Sequence, residues 1–371
     1  MIRSAGIFIV FSFHLSGASS QITANQAMVK SLDSLLMTAI GPNEPGDVVL
    51  VAKKGEIIYE KAFGSANLEL SVPLKPDMEF RIGSITKQFT AIGILQLMEQ
   101  EKISLQDSVQ KYVPEFPAKE HTITIENLLT HTSGIIDYSS IDDPDPFAER
   151  RDFTLPGLIK YFKKEPLQFE PGTKYSYSNS NYTLLAYIIE KVSGKSYHDY
   201  MKDNVLERAG LTHTLYADES TVVPGRVAGY RRYKGSFANC DYQSISLGYG
   251  AGDLISTAKD LYSWNQALLD GKLVKEQTLE KAFTPFQFSN GQHSMYGYGW
   301  FIDSVSIHGI KWIHHEGQVS GFMTEESYFP ATGTYVAILT NVKSGGDNSS
   351  FSNDRFRLMN NILFLAIRKN Y

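Results

Sequence analysis

The sequence predicts one contiguous α+β unit in which strands from both ends of the chain share a sheet and helices lie between them. Composition gives the first support, because 42% of the 371 residues are hydrophobic and 20% are charged, a balance typical of a folded globular chain. The second is a hairpin pattern near each end of the chain, and the third is a set of helical patterns between the hairpins. We find no internal repeat and no low-complexity linker that would divide the chain.

Each hairpin is predicted from two strand-like runs around a turn. The runs and turns are 48–51 and 57–62 around Lys53-Lys54-Gly55, and 323–329 and 334–339 around Pro330-Ala331-Thr332-Gly333. We expect the two hairpins to pair in one sheet.

The predicted helices differ in how apolar they are. Residues 85–98 are apolar on nearly every face, which is typical of a helix buried inside a large protein. Apolar residues between Leu184 and Val192 recur at helical spacing, and Gly194 ends this second helix. A third helix, from about 354 to 367, closes the chain.

Net charge and cysteine content exclude several protein classes. Lys and Arg total 35 against 40 Asp and Glu, a net charge of −5 without a dense basic run, which argues against nucleic acid as a partner. The single cysteine, Cys240, cannot form an internal disulfide or supply a thiolate metal cluster. The chain is therefore no disulfide scaffold, and its sequence points to no cofactor.

The first twenty residues have the order of a secretory signal peptide. Arg3 precedes a mostly apolar run over 5–15, and the small residues Gly17-Ala18-Ser19-Ser20 follow. The run is shorter than the ~20 residues that span a bilayer, and no cysteine at the junction offers a lipid attachment point. We therefore expect cleavage after Ser20 and export to the periplasm or medium without a stable membrane anchor, rather than a buried N-terminal helix.

The main chemistry-bearing motif is S-x-x-K. The sequence has no G-x-S-x-G elbow, H-E-x-x-H helix or P-loop, and no dinucleotide-binding G-x-G-x-x-G after a strand. Ser84-Ile85-Thr86-Lys87 lies where a strand-like run meets the buried helix, so that both side chains share a face one turn apart. A lysine with a lowered pKa can take the proton of a serine, and a helix N-terminus stabilises developing negative charge.

Two further S-x-x-K tetrapeptides compete with this one. They are Ser108-Val109-Gln110-Lys111 and Ser256-Thr257-Ala258-Lys259, and a serine before a helix often acts only as an N-cap. Thr257 and Asp260 form a predicted capping box, which gives the second tetrapeptide an ordinary explanation. Ser84 differs because its helix is too apolar to lie on the surface, so its lysine is expected to be buried and to need a partner.

A second motif, Tyr177-Ser178-Asn179, lies in a polar stretch just before the second helix. Of the 21 tyrosines, Tyr177 alone begins a Y-x-N. The phenol is placed to relay a proton between Ser84, Lys87 and a leaving group, while Asn179 is placed to hydrogen-bond Lys87 or a substrate amide. The alternative is a turn in which Asn179 caps the helix and Tyr177 packs.

The third motif is His315-Glu316-Gly317, beside the strand-like Lys311-Trp312-Ile313. With the three motifs in this order, the chain resembles the serine β-lactamase and penicillin-binding protein superfamily, in its class C-like branch of esterases, D-aminopeptidases and D,D-carboxypeptidases. Further matching segments cover most of the chain: 128–135, Pro171-Gly172, 177–185, 251–258, Tyr298-Gly299-Trp300 and Gly321-Phe322.

This resemblance implies a fold and a set of roles. The implied fold is β-lactamase/transpeptidase-like α+β, an antiparallel sheet flanked by helices, with a mostly helical subdomain (roughly 84–290) inserted in a single domain of residues 21–371. The implied roles are Ser84 as acylated nucleophile, Lys87 as its base partner, Tyr177 as proton relay and Asn179 as polar support. The backbone N–H groups of Ser84 and Gln318 would form an oxyanion hole, and Gly317 would keep the strand open to substrate.

His315 stands where many members of the superfamily carry the lysine of K-T-G. That ammonium anchors the carboxylate of β-lactams and peptidoglycan stems, whereas a histidine is largely neutral at pH 7. We therefore expect an esterase or peptidase rather than a β-lactamase. A β-lactamase or D,D-carboxypeptidase is the alternative, and a penicillin-binding sensor without turnover is an alternative of another class.

The remaining expectations concern metals and partners. His314, His315 and Glu316 do not indicate a metal site, because adjacent strand residues face opposite ways and no other ligand has matching spacing. The same alternation is expected to turn Glu316 away from the face of His315. The expected partner is a small-molecule or short-peptide substrate, fragments derived from peptidoglycan included, and the sequence leaves the oligomeric state open.

Overall fold

The computed structural model describes residues 14–142, 145, 148–216, 220–305, 309–344 and 349–368. Residues 1–13 of the predicted signal peptide lie outside these ranges, and the predicted cleavage point after Ser20 falls within the helix His14–Ala39. Export and cleavage therefore stay predictions. In the described part of the chain, no helix is both long and apolar enough to cross a membrane.

The structure contains the following elements, numbered along the chain. The strands are β1 (Asp47–Lys53), β2 (Glu56–Phe63), β3 (Ser65–Asn67), β4 (Val72–Pro73), β5 (Phe80–Arg81), β6 (Leu215–Tyr216), β7 (Tyr230–Tyr233), β8 (Ser236–Asn239), β9 (Leu254–Ser256), β10 (Phe301–Val305), β11 (Ile310–Val319), β12 (Phe322–Phe329), β13 (Thr334–Thr340) and β14 (Val342–Ser344). The helices are α1 (His14–Ala39), α2 (Thr86–Glu99), α3 (Val109–Tyr112), α4 (Ile125–Leu129), α5 (Leu155–Phe162), α6 (Asn179–Ser193), α7 (Tyr197–Met201), α8 (Glu207–Ala209), α9 (Ala258–Leu269), α10 (Glu276–Ala282) and α11 (Ser349–Ile367).

The central element is a six-stranded antiparallel sheet in the order β10-β11-β12-β13-β1-β2. Both predicted hairpins are present, as β1–β2 and β12–β13. Their pairing is also confirmed, because β1 lies against β13 with Asp47 opposite Thr340. The two ends of the chain therefore meet in the middle of one sheet.

Alternation along the strands gives this sheet two buried faces. On β1, Val48 and Leu50 belong to the large core that contains α2, whereas Val49 and Val51 belong to a second core that contains α1 and α11. We call the face on α2 the inner face and the face under α1 and α11 the outer face. Helices α2 to α10 all come from the chain between β5 and β10.

Helix α2 is buried along almost its whole length, as predicted. All residues from Thr86 to Leu97 are buried, and the ring of Phe89 stacks on that of Trp264 with centroids 3.9 Å apart. The predicted second helix is α6, which ends at Gly194 with a positive φ of 72°. The predicted C-terminal helix is α11, which begins at Ser349, earlier than the expected start near residue 354.

Candidate active site

Ser84 lies in a tight turn, Gly83–Ile85, that joins β5 to α2. Strand β5 is held by antiparallel pairing with β9, and the Ile82 amide donates to the Leu254 carbonyl at 3.0 Å. Gly83 has a positive φ of 53°, and a Cβ there would come within 2.9 Å of the Gln318 nitrogen. The turn therefore packs tightly on β11 and leaves Ser84 at the N-terminus of the buried helix.

Lys87 lies one turn after Ser84 and is completely buried. Its Nζ contacts Ser84 Oγ at 3.0 Å, Asn179 Oδ1 at 2.8 Å and the Ala251 carbonyl oxygen at 2.7 Å. Burial lowers the pKa of Lys87 to about 7, although the carboxylate of Asp137 acts in the opposite direction. A substantial share of Lys87 is therefore a neutral amine near pH 7.

These three contacts fix where the lone pair of the neutral amine points. A neutral amine has two N–H groups and one lone pair. The Ala251 carbonyl and Asn179 Oδ1 can only accept hydrogen bonds, so each takes one N–H. The lone pair is left facing Ser84 Oγ, whose hydroxyl can donate to it. The geometry is that of a serine with a base in hydrogen-bond contact.

The loop that supplies Ala251 is fastened on both sides of this residue. Thr90 Oγ1, on α2, donates to the Gly250 carbonyl at 2.7 Å. Asp253 is buried and bonds His198 Nε2 at 2.8 Å. The Lys87 acceptor on this loop is therefore held by α2 itself and by α7.

Tyr177 lies beside Lys87, with Nζ 4.8 Å from the centroid of its ring. Burial raises its pKa well above 10, and the interaction of its hydroxyl with Ser84 acts in the opposite direction. The ring of His131 lies 4.3 Å from that of Tyr177, and His131 Nδ1 accepts the Ser178 amide at 3.2 Å. His131 is thus buried supporting structure for the phenol, which stays protonated near pH 7.

Asn179 is the first residue of α6 and does not act as its N-cap. Ser178 occupies the cap position and makes no capping hydrogen bond with its side chain. The Asn179 side chain instead joins Lys87 to Asp137, whose Oδ2 accepts from Asn179 Nδ2 at 3.0 Å. Of the two interpretations of the Y-x-N segment, the structure favours the polar one for Asn179.

His315 lies on the inner face of β11 and is 1% exposed. Its Nδ1 donates to the Glu316 carbonyl at 2.6 Å, and its Nε2 accepts from the Tyr296 hydroxyl at 2.9 Å. Burial and the charge of Lys87 lower its pKa well below 6.5, so the imidazole is neutral, in agreement with the expectation. The ring lies behind Tyr177, with centroids 6.2 Å apart.

Gly317 and Gln318 follow on the same strand. A Cβ at Gly317 would lie 1.9 Å from the Ile82 carbonyl oxygen and 2.2 Å from Thr324 Oγ1. The structure thus explains the glycine by close packing, and not by the predicted access for substrate. Without a side chain at this position, β11 can approach the chain that leads into Ser84. Gln318, in contrast, lies on the cavity surface beside Ser84.

Ser84 opens into a cavity of about 260 Å³. Its lining includes Asn179 and Gln318, and also two cationic side chains, Arg81 and Lys343. The Arg81 guanidinium donates to the Gln243 carbonyl at 3.0 Å, and burial lowers the pKa of Lys343. The predicted relay Tyr177, as well as His315 and Gly317, lies behind this lining.

The two competing tetrapeptides have different surroundings. Lys111 is exposed and forms an ion pair with Asp107 at 2.8 Å. Ser256 is buried and bonds Thr214 Oγ1 at 2.8 Å, while the amide of Asp260 donates to Thr257 in the predicted cap of α9. Of the three serines, Ser84 alone contacts a buried lysine.

The adjacent histidines on β11 point to opposite faces of the sheet. His314 lies on the outer face between Asp303 at 3.1 Å and Glu325 at 3.6 Å. Among the residues that the structure describes, no three His, Cys, Asp or Glu side chains are grouped as metal ligands. Glu316 is partly buried opposite Glu325, away from the inner face of His315, as strand alternation predicts.

Comparisons with known proteins agree with this geometry. The family model for beta-lactamase matches residues 34–356. A relative described as putative penicillin-binding protein PbpX, from Bacillus subtilis, is 34% identical over 316 residues, which make up 84% of this chain and 74% of the relative. A solved penicillin-binding protein from Bacillus halodurans has a TM-score of 0.75 and 27% identity, covering 92% of this chain and 99% of its own. A D-stereospecific amidohydrolase from Streptomyces has a TM-score of 0.72 and 26% identity, covering 85% and 94%.

The chain therefore belongs to the beta-lactamase family. It is a serine hydrolase of the superfamily that contains penicillin-binding proteins and amidohydrolases. Both the resemblance drawn from the three motifs and the predicted β-lactamase/transpeptidase-like α+β fold are confirmed.

Sequence reasoning missed three participants in the site. Ala251 was recognised only as part of a matching segment, because a backbone acceptor leaves no side-chain signal. Lys343 lies beyond the last matching segment, Gly321-Phe322, and reaches the cavity only through the fold. Asp137 follows the matching segment 128–135 by two residues, and that proximity was the available signal.

Proposed function

We propose that the protein hydrolyses an ester or amide bond through an acyl-enzyme on Ser84. The observation that carries the proposal is the 3.0 Å contact between Ser84 Oγ and the buried Nζ of Lys87, whose other two contacts go to groups that can only accept hydrogen bonds. A serine is activated when a base lies within hydrogen-bond reach of it and further groups orient that base.

In the first step, Ser84 Oγ attacks the substrate carbonyl carbon while its proton passes to Lys87 Nζ. The carbonyl oxygen gains the negative charge and accepts hydrogen bonds from the backbone N–H groups of Ser84 and Gln318, the proposed oxyanion hole. The intermediate then collapses, the bond to the leaving group breaks, and the leaving alcohol or amine takes the proton of Lys87, relayed by Tyr177, so that Lys87 is again a neutral amine. Ser84 is left as an ester of the acyl group.

In the second step, water attacks the acyl-enzyme. The same base accepts a proton from the water, the Ser84–acyl bond breaks, and Ser84 Oγ recovers its proton as the acid leaves. A protonated Tyr177 phenol suits a relay that never carries a full negative charge, since burial raises its pKa.

We further propose that short-chain esters and uncharged amides are better substrates than penicillins. The K-T-G lysine position is held by His315, which is buried, neutral and hydrogen-bonded to Tyr296. It therefore supplies no positive charge for a substrate carboxylate.

A second candidate function, β-lactamase or D,D-carboxypeptidase, is favoured by a different observation. Arg81 and Lys343 both line the cavity at Ser84, at the end of β11 that carries Gln318 and away from His315. A carboxylate held by these two cations would replace the missing lysine contact. Lys311, in contrast, donates to the Phe283 carbonyl and does not line this cavity.

The deciding experiment is intact-mass detection of adducts on the purified protein. The probes are p-nitrophenyl esters, D-amino-acid amides and a fluorescent penicillin, with Ser84→Ala and Ser108→Ala as matched variants. We expect a transient adduct on Ser84 and product release with the esters or amides. A penicillin adduct that persists without product would instead support a sensor without turnover, and an adduct that survives Ser84→Ala would refute the proposed nucleophile.

We also propose export through residues 1–20. The support is the order of charge, apolar run and small residues in the sequence. Expression with the native N-terminus, followed by N-terminal sequencing of the protein from the periplasm or medium, is expected to find a chain that begins at Gln21 or close to it.

A further inference from the structure

The direction of the Lys87 lone pair depends on which way the amide of Asn179 faces. If Oδ1 faces Lys87, it takes an N–H and the lone pair points to Ser84. If the amide were turned over, Nδ2 would donate to Lys87 and occupy the lone pair that the serine needs. A group that fixes this amide therefore decides whether Lys87 is a base for Ser84.

Asp137 makes the contacts that such a group needs. Its Oδ2 accepts from Asn179 Nδ2 at 3.0 Å and from the Asn179 backbone amide at 3.2 Å. Its Oδ1 accepts the Ser139 amide at 2.9 Å. Since a carboxylate only accepts hydrogen bonds, the Nδ2 end of Asn179 must face Asp137 and Oδ1 must face Lys87.

The segment that carries Asp137 is itself attached to helix α6. Ser180 Oγ accepts the Tyr138 amide at 2.9 Å and donates to the Ile136 carbonyl at 2.7 Å. The Tyr138 hydroxyl donates to the Leu247 carbonyl at 2.7 Å. Asp137 is thus held between two anchored neighbours, and it does not line the cavity.

We propose that Asp137 is a positioning residue that locks the Asn179 amide and thereby aims the Lys87 amine at Ser84. The proposal rests on the proposed function, because it assigns Asp137 a role in the activation of Ser84. Asp137 acts through Asn179 and touches neither substrate nor the reacting atoms.

Asp137 also sets the charge around Lys87. The other titratable side chains that face Lys87 from the packed elements are Tyr177, Tyr182, His131 and His315. Burial raises the pKa of both tyrosines and lowers that of both histidines, so all four are neutral near pH 7. Asp137 is the carboxylate whose charge raises the pKa of Lys87. Removing the charge is expected to favour the neutral amine further.

Two substitutions of Asp137 separate its effect on the orientation of the Asn179 amide from its effect on the charge near Lys87. In Asp137→Asn, the amide oxygen can still accept from Asn179, so kcat is expected to stay within a few-fold of wild type. The acid limb of kcat/KM, expected near pH 7 in wild type, should move down by about one pH unit. In Asp137→Leu, both orientation and charge are lost, and kcat is expected to fall by about 10- to 100-fold with little change in KM.

Asp107→Asn is the matched control. Asp107 also accepts a backbone amide, from Ser104 at 2.8 Å, and pairs with a lysine, but it lies outside the site. We expect it to leave the pH profile unchanged. Rates are measured with p-nitrophenyl butyrate from pH 5 to 9, and acylation of Ser84 is followed by intact mass.

An Asp137→Leu protein as active as wild type would overturn the proposal, and so would an Asp137→Asn protein whose acid limb does not move. If Asp137→Leu fails to fold, the pH profile of Asp137→Asn decides alone. Failure of the proposed function has a different signature, namely equal rates for wild type and Ser84→Ala.

Discussion

The two neighbouring histidines of β11 lie in opposite environments on the two faces of the sheet. On the outer face, His314 lies between the carboxylates of Asp303 and Glu325, and these raise its pKa to about 9 despite burial. On the inner face, burial and the charge of Lys87 lower the pKa of His315 well below 6.5. One peptide unit therefore separates an imidazolium from a neutral imidazole.

The contrast shows that the two faces of the sheet affect ionisable groups in opposite ways. Burial is the largest influence on the pKa of Lys87 and of His315 and disfavours their charged forms, whereas two adjacent carboxylates outweigh burial at His314 and keep its charge. Under the proposed function, we expect the neutral groups on the inner face to take part in the chemistry and the paired charges on the outer face to add stability. Changes on the inner face should therefore alter rates, and changes on the outer face should alter thermal stability.

The largest effect is expected at Ser84. Ser84→Ala removes the nucleophile and should lower ester hydrolysis by roughly 10⁵-fold or more, with circular dichroism and melting temperature unchanged. Ser108→Ala should keep its activity and lose less than the ~2 kcal/mol of a full helix cap, because the Ser108 side chain makes no capping hydrogen bond at α3. A folded Ser84→Ala protein that keeps most of its activity would show that the reaction does not take place on the inner face.

The next effect concerns Tyr177 and distinguishes chemistry from packing on the inner face. Tyr177→Phe removes one hydroxyl and little volume, so lost proton relay should lower kcat by about 10²–10⁴-fold at constant melting temperature. Steady-state kinetics with p-nitrophenyl butyrate measure this. A loss below about threefold would mean that the ring only packs on His131.

A smaller effect is expected when charge is returned to the inner face. His315→Lys should raise kcat/KM for a carboxylate-bearing substrate, measured relative to a neutral ester, by about 10- to 100-fold if the ammonium reaches the cavity. Nitrocefin and p-nitrophenyl butyrate serve as the pair. Wild type that already prefers nitrocefin would show that Arg81 and Lys343 hold the carboxylate, and our substrate ranking would be wrong.

The smallest effect on rate, and the clearest on stability, is expected at His314. Its folded pKa of about 9 lies above the ordinary value of 6.5, so its contribution is fully present below pH 6.5 and is lost as the pH rises through 9. That gap corresponds to roughly 3 kcal/mol at most.

The measurement is thermal melting of wild type and His314→Gln between pH 6 and 10. Wild type should lose stability over this window, and the variant should start lower and change less. The hydrolysis rate of the variant at pH 7 should match that of wild type. An equal pH dependence of melting in both proteins would contradict the outer-face assignment.

Most of the sheet and the buried helix could be predicted, because strand-like runs around turn residues and an all-round apolar helix pattern record burial directly. Both hairpins, α2 and the Gly194 end of α6 follow from such patterns. The short pairings, such as β5 with β9 and β14 with β7, left no pattern, since strands of two to four residues are too short to show one. The early start of α11 was missed because Ser349 and its neighbours are polar.

Residues that belong to a motif could be predicted as parts of the site, whereas groups outside the motifs that the fold brings to the site could not. Ser84 and Lys87 meet as the S-x-x-K spacing predicted, and Asn179 contacts Lys87 as the interpretation of the Y-x-N segment expected. Asp137 bonds Asn179 across 42 positions of sequence, and Ala251 reaches Lys87 across 164. The cations that line the cavity are likewise not at the third motif: Arg81 lies on β5, and Lys343 lies on β14, beyond the central sheet.

The pairing of β1 with β13 also governs how the molecule acquires its activity. The hydrogen bond from Thr340 to Asp47 joins residues 293 positions apart, so the middle of the sheet closes only after nearly the whole chain is present. Contacts this distant in sequence make folding slow, because loop closure precedes the contacts that reward it. Ser84 comes from one half of the chain and Gln318 from the other, so catalytic competence should be among the last properties to appear on refolding, well after helical circular dichroism has recovered.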